Sequence, residues 1–318
     1  MMIDRRQMLI AAAGTGIAAT GPSLAAEPEA IIELWPNDAP GLPGIAPVEV
    51  IEDRSADPAV RDRSIRGVLR PRLLVFRPAV PNGSAALVIP GGGFSRLVFD
   101  KEGAEVAMWL TARGWTAFVL LHRLPGDGWA AGPDVALFDA QRAMRLIRAR
   151  AATYRIDPAK VAAMGFSAGG HVCGDLATRF DTVTYTPVDA ADRLSARPIV
   201  AAPIYAVQSM TLPVAHAGSR ALLIGKDAGA ALERRHSPAL NVSPTTPPMF
   251  LVHAEDDASV VPDNSLQTRA ALKAAGVPVE LHLFATGGHG FALRQPAAKP
   301  VARWPELFAT WAATHGLG

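Results

Sequence analysis

One cysteine, Cys173, stands alone in 318 residues, so no internal disulfide can form and packing has to hold the fold. Charge is sparse and balanced, with a formal net charge of +2 and no basic run. A nucleic-acid surface needs lysines and arginines clustered on one face, so that class of partner is not expected. Long apolar runs are missing too. The stretch near the amino end is short and broken by Gly14, Gly16, Gly21 and Pro22, which argues against an anchoring transmembrane helix. No internal repeat or low-complexity block occurs. The acidic cluster Glu255-Asp256-Asp257 is short and lacks the ligand spacing of a calcium loop, so no metal site is expected.

What is present begins with a leader. Asp4-Arg5-Arg6-Gln7-Met8-Leu9-Ile10 opens a stretch rich in alanine and glycine. It ends at Ser23-Leu24-Ala25, with small residues where a signal peptidase cuts. Residues 1–25 are therefore expected to be an export signal, giving a periplasmic or secreted protein with no stable membrane insertion. The Arg5-Arg6 pair resembles a twin-arginine signal, from which Asp4 and Met8 depart, so general secretion stays an open route. Residues 26–318 are expected to form one domain.

Apolar runs of strand length alternate with helical periods. Strands are expected at 72–76, 85–89, 116–121, 160–164, 198–202, 248–253 and 279–284. Helices are expected at 102–113, 134–152 and 263–275, the first closed by Gly114 and the last by Gly276. In the second, Leu137, Ala140, Met144, Ile147 and Ala151 recur at helical spacing. Such alternation implies an α/β fold with a mostly parallel sheet covered by helices on both faces. The proline-rich segment 206–248 shows no period and reads as a rim or a connection.

Four motifs sit at expected strand ends, where open parallel sheets place their sites. Gly165-Phe166-Ser167-Ala168-Gly169 lies between a strand-like and a helix-like run. A serine on such a turn has an exposed Oγ, and the next helix start offers free N–H groups. Pro90-Gly91-Gly92-Gly93-Phe94 ends the 85–89 run. Its glycines let backbone N–H groups approach a ligand. A dinucleotide loop would need glycine where Arg96 stands. Glu255-Asp256-Asp257 follows the 248–253 run and can supply a carboxylate to an imidazole. Gly287-Gly288-His289-Gly290 follows the 279–284 run and suits a loop that presents a ring.

With these residues the chain resembles the α/β-hydrolases, and within them the bacterial acetyl xylan esterase-like carbohydrate esterases. Leu34-Trp35-Pro36-Asn37-Asp38-Ala39-Pro40-Gly41, Asn264-Ser265 and Gly170-His171 carry the resemblance further. It implies a serine esterase acting on short-chain, acetyl esters of xylan or related carbohydrates through an acyl-enzyme, with no cofactor. Ser167 would be the nucleophile and His289 the base. Asp257 would be the orienting acid, although Ala258-Ser259 replaces the family's usual proline-containing turn and leaves Asp256 as the alternative. The N–H groups of Gly92, Gly93 and Ala168 would form the oxyanion hole. The same triad could serve a feruloyl-type esterase or a peptidase. A catalytically silent binding module is the non-enzymatic alternative.

The remaining candidates are quieter. Phe94 and Trp129 follow strand ends and are candidates for contact with a sugar or acyl group, with partial burial as the equal alternative. His122 ends a strand and is placed at the site rim. His253 and His282 read as structural, and His171 as packing beneath the nucleophile.

Overall fold

In the central strands, every residue is buried and alternate side chains go to opposite faces. The computed structural model describes residues 27–318; the expected export signal lies outside them. Eleven strands are described: β1 Ala30–Glu33, β2 Val50–Asp53, β3 Arg63–Arg66, β4 Arg72–Phe76, β5 Ala85–Ile89, β6 Leu97–Val98, β7 Thr116–Leu121, β8 Val161–Phe166, β9 Ala201–Ile204, β10 Met249–Ala254 and β11 Val279–Phe284. The helices are α1 Glu105–Thr111, α2 Val135–Ala149, α3 Ala151–Tyr154, α4 Ser167–Thr178, α5 Ala217–Leu223, α6 Ala230–Arg235, α7 Asp263–Ala274 and α8 Trp304–Thr314.

The main sheet has the order β1-β4-β7-β5-β8-β9-β10-β11. From β7 to β11 all pairings are parallel; β4 is antiparallel to β7 and β1 to β4. Leu87 and Ile89 of β5, Phe118 and Leu120 of β7, and Met249 and Leu251 of β10 face one apolar cluster, which α2, α4 and α7 cover through Met144, Ile147, Leu176 and Leu272. Their neighbours Val88, Val119, Phe250 and Val252 face a second cluster, closed by Val106 and Leu110 of α1 and by Phe308 and Trp311 of α8. Near-continuous apolar strands are what a doubly covered sheet requires.

The chain leaves β5 towards β7 on one side and returns as β8 on the other. The connections therefore diverge at β5, and a crevice opens beyond the carboxyl ends of β5 and β8. A second, three-stranded sheet of β2, β3 and β6 flanks this crevice. Between β6 and α1 the chain makes a π-helical turn over Asp100–Ala104, so the helix expected at 102–113 is divided.

Arg123 and Asp139 are both completely buried, 2.7 Å apart. Asp139 also accepts from the Trp35 indole at 3.0 Å, and Arg123 donates to the Pro40 carbonyl at 2.7 Å, fastening the 35–47 loop to α2. Removing one member of such a pair leaves a buried charge uncompensated, a cost of about 3–5 kcal/mol. Asp139→Ala is expected to lower the melting temperature by roughly 10 °C. Differential scanning calorimetry checks this; a shift of a degree or two would mean that water reaches Arg123.

Candidate active site

Ser167 caps the sharp bend from β8 into α4, with φ at +52°. The bend is possible because its flanks lack Cβ atoms. A Cβ on Gly165 would collide with the Gly169 carbonyl, and one on Gly169 with the carbonyls of Ile89 and Pro90. A left-handed serine at this place is strained backbone held by its surroundings. The strain lifts the hydroxyl out of the sheet.

Three side chains from three strand ends meet there. Ser167 Oγ lies 2.8 Å from His289 Nε2. His289 Nδ1 lies 2.7 Å from Asp257 Oδ2. A carboxylate only accepts, so Nδ1 carries the imidazole proton and Nε2 is free to accept from the serine. The two aspartates divide the work. Asp257 orients the ring. Asp256 Oδ1 accepts the N–H groups of Gly287 and Gly288 at 2.8 and 2.7 Å, bracing the loop that carries His289.

Asp257 is surrounded by donors. Its Oδ1 accepts from the backbones of Ser259 and Val260, both at 2.9 Å. Its Oδ2 is also 3.3 Å from His253 Nε2. Burial works against its charge, but hydrogen bonds from His253 and His289 outweigh this and hold the carboxyl well below the usual range. His253 itself is locked between Ser265 Oγ and the Val260 carbonyl, each at 2.8 Å. The sequence marks it only as a strand histidine, and its place beneath the acid comes from β10 and α7 packing together.

Opposite the serine stands the glycine loop. Gly92 and Gly93 have φ of +132° and +65°. A Cβ on Gly92 would collide with the Arg96 carbonyl, so the close turn requires glycine there. Among the described residues, no protein acceptor takes the N–H of Gly92 or Gly93. The N–H of Ala168 lies in the first turn of α4, where no intrahelical carbonyl is available. Glu102 anchors the loop from below: Oε2 accepts from Gly91 N at 2.9 Å and Oε1 from Tyr205 Oη at 3.0 Å. Burial and the adjacent Glu102 push the Tyr205 phenol well above its ordinary value, so it stays a donor. Its ring packs edge-on to His289, with centroids 5.2 Å apart. Glu102 and Tyr205 thus tie the glycine loop to the histidine shelf. No motif betrays either residue.

Ser167, His289, Gly92, Gly93 and Glu102 line a cleft of about 530 Å³ shared with Arg54, Arg96, Lys101 and His216. His216, from the segment without period, caps α5: its Nδ1 accepts the Ser219 N–H at 3.2 Å, leaving Nε2 as the protonated nitrogen. Burial and the nearby His289 lower its pKa.

Three expectations need correction. Phe94 and Trp129 are 1% and 2% exposed and are not among the residues lining the cleft. Phe94 packs edge-on to His171 beneath the serine, and Trp129 lies under the Arg123 guanidinium. Their loops fold back onto the core instead of presenting the rings. His122 is likewise buried, with Nδ1 2.8 Å from the Arg123 carbonyl, and reaches no rim.

Burial pushes the Cys173 thiol up to about 12, so it offers no nucleophile. One group of potential metal donors, Asp134, Asp175 and His236, lies among the described residues, away from the cleft. Arg179 bonds both aspartates and Arg235 bonds Asp134, so their charge is already matched by protein cations.

Burial lowers the pKa of His122, His171 and His236, the last to about 3. Below about pH 6.5 an unfolded chain protonates these rings while the fold resists. The unfolded state then binds more protons, and stability falls by up to about 1.4 kcal/mol per pH unit for each ring. Asp257 adds a further loss below the ordinary carboxylate range. Urea midpoints are expected to drop steadily from pH 7 to 4.5, and His236→Asn to flatten that slope. A pH-independent midpoint would show that the rings are protonated in the fold.

Against this geometry the comparisons are consistent. Residues 75–272, more than half of the chain, match the family described as BD-FAE. The crystal structure of an acetyl ester-xyloside bifunctional hydrolase from Caldicellulosiruptor lactoaceticus is 33% identical, covers 93% of this chain and all of that one, and superposes with a TM-score of 0.73. The chain belongs to the BD-FAE family. Its fold is that of the α/β-hydrolases. An acetylxylan esterase from Xylanibacter ruminicola is 32% identical over 69% of this BD-FAE chain and 43% of its own length. Endo-1,4-beta-xylanase B of Butyrivibrio fibrisolvens is 36% identical over 64% of this chain and 32% of its own. This BD-FAE chain therefore spans less than half of either relative. None of its described helices is long and apolar enough to cross a membrane.

Proposed function

We propose that the chain is an exported serine esterase that removes short acyl groups, acetyl above all, from xylan or another acetylated carbohydrate. One observation carries this reading: Ser167, His289 and Asp257 form a continuous hydrogen-bonded chain that faces backbone N–H groups without a protein acceptor among the described residues. The names of the similar proteins, an acetylxylan esterase and an acetyl ester-xyloside hydrolase, support the acetylated carbohydrate as substrate.

The route follows from the protons. Ser167 gives its proton to His289 Nε2 as Oγ attacks the ester carbonyl. The developing imidazolium is stabilised by the Asp257 carboxylate 2.7 Å away. The oxyanion enters the space bounded by the N–H groups of Gly92, Gly93 and Ala168. One such donor is worth about 10²–10³ in turnover in comparable sites. His289 then gives that proton to the departing sugar oxygen as its bond to the carbonyl carbon breaks; the sugar leaves as a free hydroxyl and an acyl-serine remains. Water activated by the same ring releases the acid. These steps use only side chains, backbone and water.

Acetate release from acetylated xylan and from acetylated mono- and oligosaccharides tests the proposal. A parallel panel of 4-nitrophenyl acetate, longer acyl esters, a feruloyl ester and a peptide amide is expected to favour acetate. Preferred turnover of the feruloyl ester or the amide would move the function to the rival reaction class. Failure to react with a serine-directed fluorophosphonate would favour a silent binding module.

A further inference from the structure

The cleft beside Ser167 is lopsided in charge. Arg54, Arg96 and Lys101 line it, against a single carboxylate, Glu102. Glu102 is 3% exposed, and both its oxygens are engaged by Gly91 N–H and the Tyr205 hydroxyl. Its oxygens are thus already occupied by protein donors. Arg54 is matched by Asp62 at 2.6 Å. Arg96, which is exposed, and Lys101, which is half-buried, have no carboxylate partner among the described residues.

Their placement is specific. The Arg96 backbone N–H bonds the Gly92 carbonyl at 3.3 Å, which fixes this residue to the rim of the glycine loop. Lys101 is half-buried, and its ammonium lies 3.4 Å from where a Cβ on Gly290 would stand, on the flank of His289. His289 is the group that hands its proton to the departing alcohol. A cation on that flank is near the sugar part of the substrate and not only near its acyl group.

Resting on the esterase reading, we propose that this cleft selects esters whose saccharide part carries a carboxylate, a uronic acid residue, with Lys101 and Arg96 as its anion-binding pair. A neutral acetylated sugar uses the same triad but leaves both cations hydrated and unmatched. A uronate brings a fixed negative charge to them at little desolvation cost, since the cleft is open to solvent. Solvent-exposed ion pairs contribute little each, so the preference is expected to be about three- to tenfold. It is expected to shrink with salt.

The experiment compares kcat/KM for acetylated xylo-oligosaccharides of equal length, with and without one glucuronic acid substituent, at low and high ionic strength. The wild-type ratio is expected to exceed about three at low salt and to approach one at high salt. It is expected to fall towards one in Lys101→Gln, Arg96→Gln and the double variant. 4-Nitrophenyl hemisuccinate against 4-nitrophenyl acetate forms the other arm, placing the carboxylate on the acyl side. A wild-type saccharide ratio of one overturns the proposal, as does a ratio that survives the double variant. A gain confined to the hemisuccinate overturns the saccharide-side placement. Loss of 4-nitrophenyl acetate turnover by the wild type would overturn the esterase reading itself, a result distinguishable from all of these.

Discussion

Ser167→Ala is expected to lower the turnover of 4-nitrophenyl acetate by about 10⁵–10⁶-fold while the protein still folds. Cys173 cannot stand in for the nucleophile, because it is buried with its thiol pushed up to about 12. The variant keeps its glycine loop and Ala168 N–H, so a residual acceleration over water of about 10³–10⁴ is expected to persist. Stability separates two effects of the same site. Alanine retains a Cβ at φ +52° and inherits the strain, so its melting temperature is expected to stay close to that of the wild type. Ser167→Gly relieves that strain and is expected to melt higher, although it is equally inactive. Initial rates and calorimetry on both variants check the pair of claims. Residual turnover within a factor of ten of the wild type would remove Ser167 from the mechanism.

The strands with the sharpest boundaries in the sequence are those set off by turn-forming residues. Ranges 72–76, 85–89, 116–121 and 279–284 coincide with β4, β5, β7 and β11: the first three are largely buried apolar runs, and the half-buried edge strand β11 is marked by the Gly276 and Pro278 before it and the glycines after it. The run expected at 160–164 extends to Phe166, since the sheet continues to the residue that presents the serine. The run expected at 198–202 is displaced to Ala201–Ile204. β1 escapes notice because it is short and edge-exposed, and β2 and β3 because charged residues fill their exposed faces. The long helix expected at 134–152 breaks at Arg150, where the backbone leaves helical geometry. Ser167, Asp257 and His289 were legible because each sits at the end of such a run within a motif. The walls of the cleft were not. His216 and Arg96 arrive from loops and Lys101 from the π-helical turn before α1, all placed by tertiary contacts, and Glu102 and Tyr205 meet across 103 residues of chain. Aromatic residues at loop starts suggested sugar contacts, but Phe94 and Trp129 are drawn inward by the same apolar burial that builds the core.

Asp257→Asn is expected to cost about 10⁴ in kcat, and the reason is where its oxygens are held. Oδ1 accepts two backbone N–H groups, from Ser259 and Val260. An asparagine can satisfy these donors only with its carbonyl oxygen, so its NH₂ is forced into the position of Oδ2. That NH₂ then points at His289 Nδ1, 2.7 Å from the original oxygen, and at His253 Nε2, 3.3 Å from it. A donor opposite Nδ1 requires the tautomer with the proton on Nε2. In that tautomer the ring has no lone pair for the Ser167 hydroxyl, and proton transfer stops. Asp256→Asn should behave differently, because its oxygen can still accept from Gly287 and Gly288 and its amide faces no ring. Only Asp256→Ala frees the loop, and the resulting displacement of His289 is expected to cost about ten- to a hundredfold. Stopped-flow acylation rates for the three variants, with the imidazole N–H resonances followed by NMR, separate tautomer from displacement. Equal losses in Asp257→Asn and Asp256→Asn would mean that the two carboxylates share the orienting role that the 2.7 Å contact assigns to Asp257 alone.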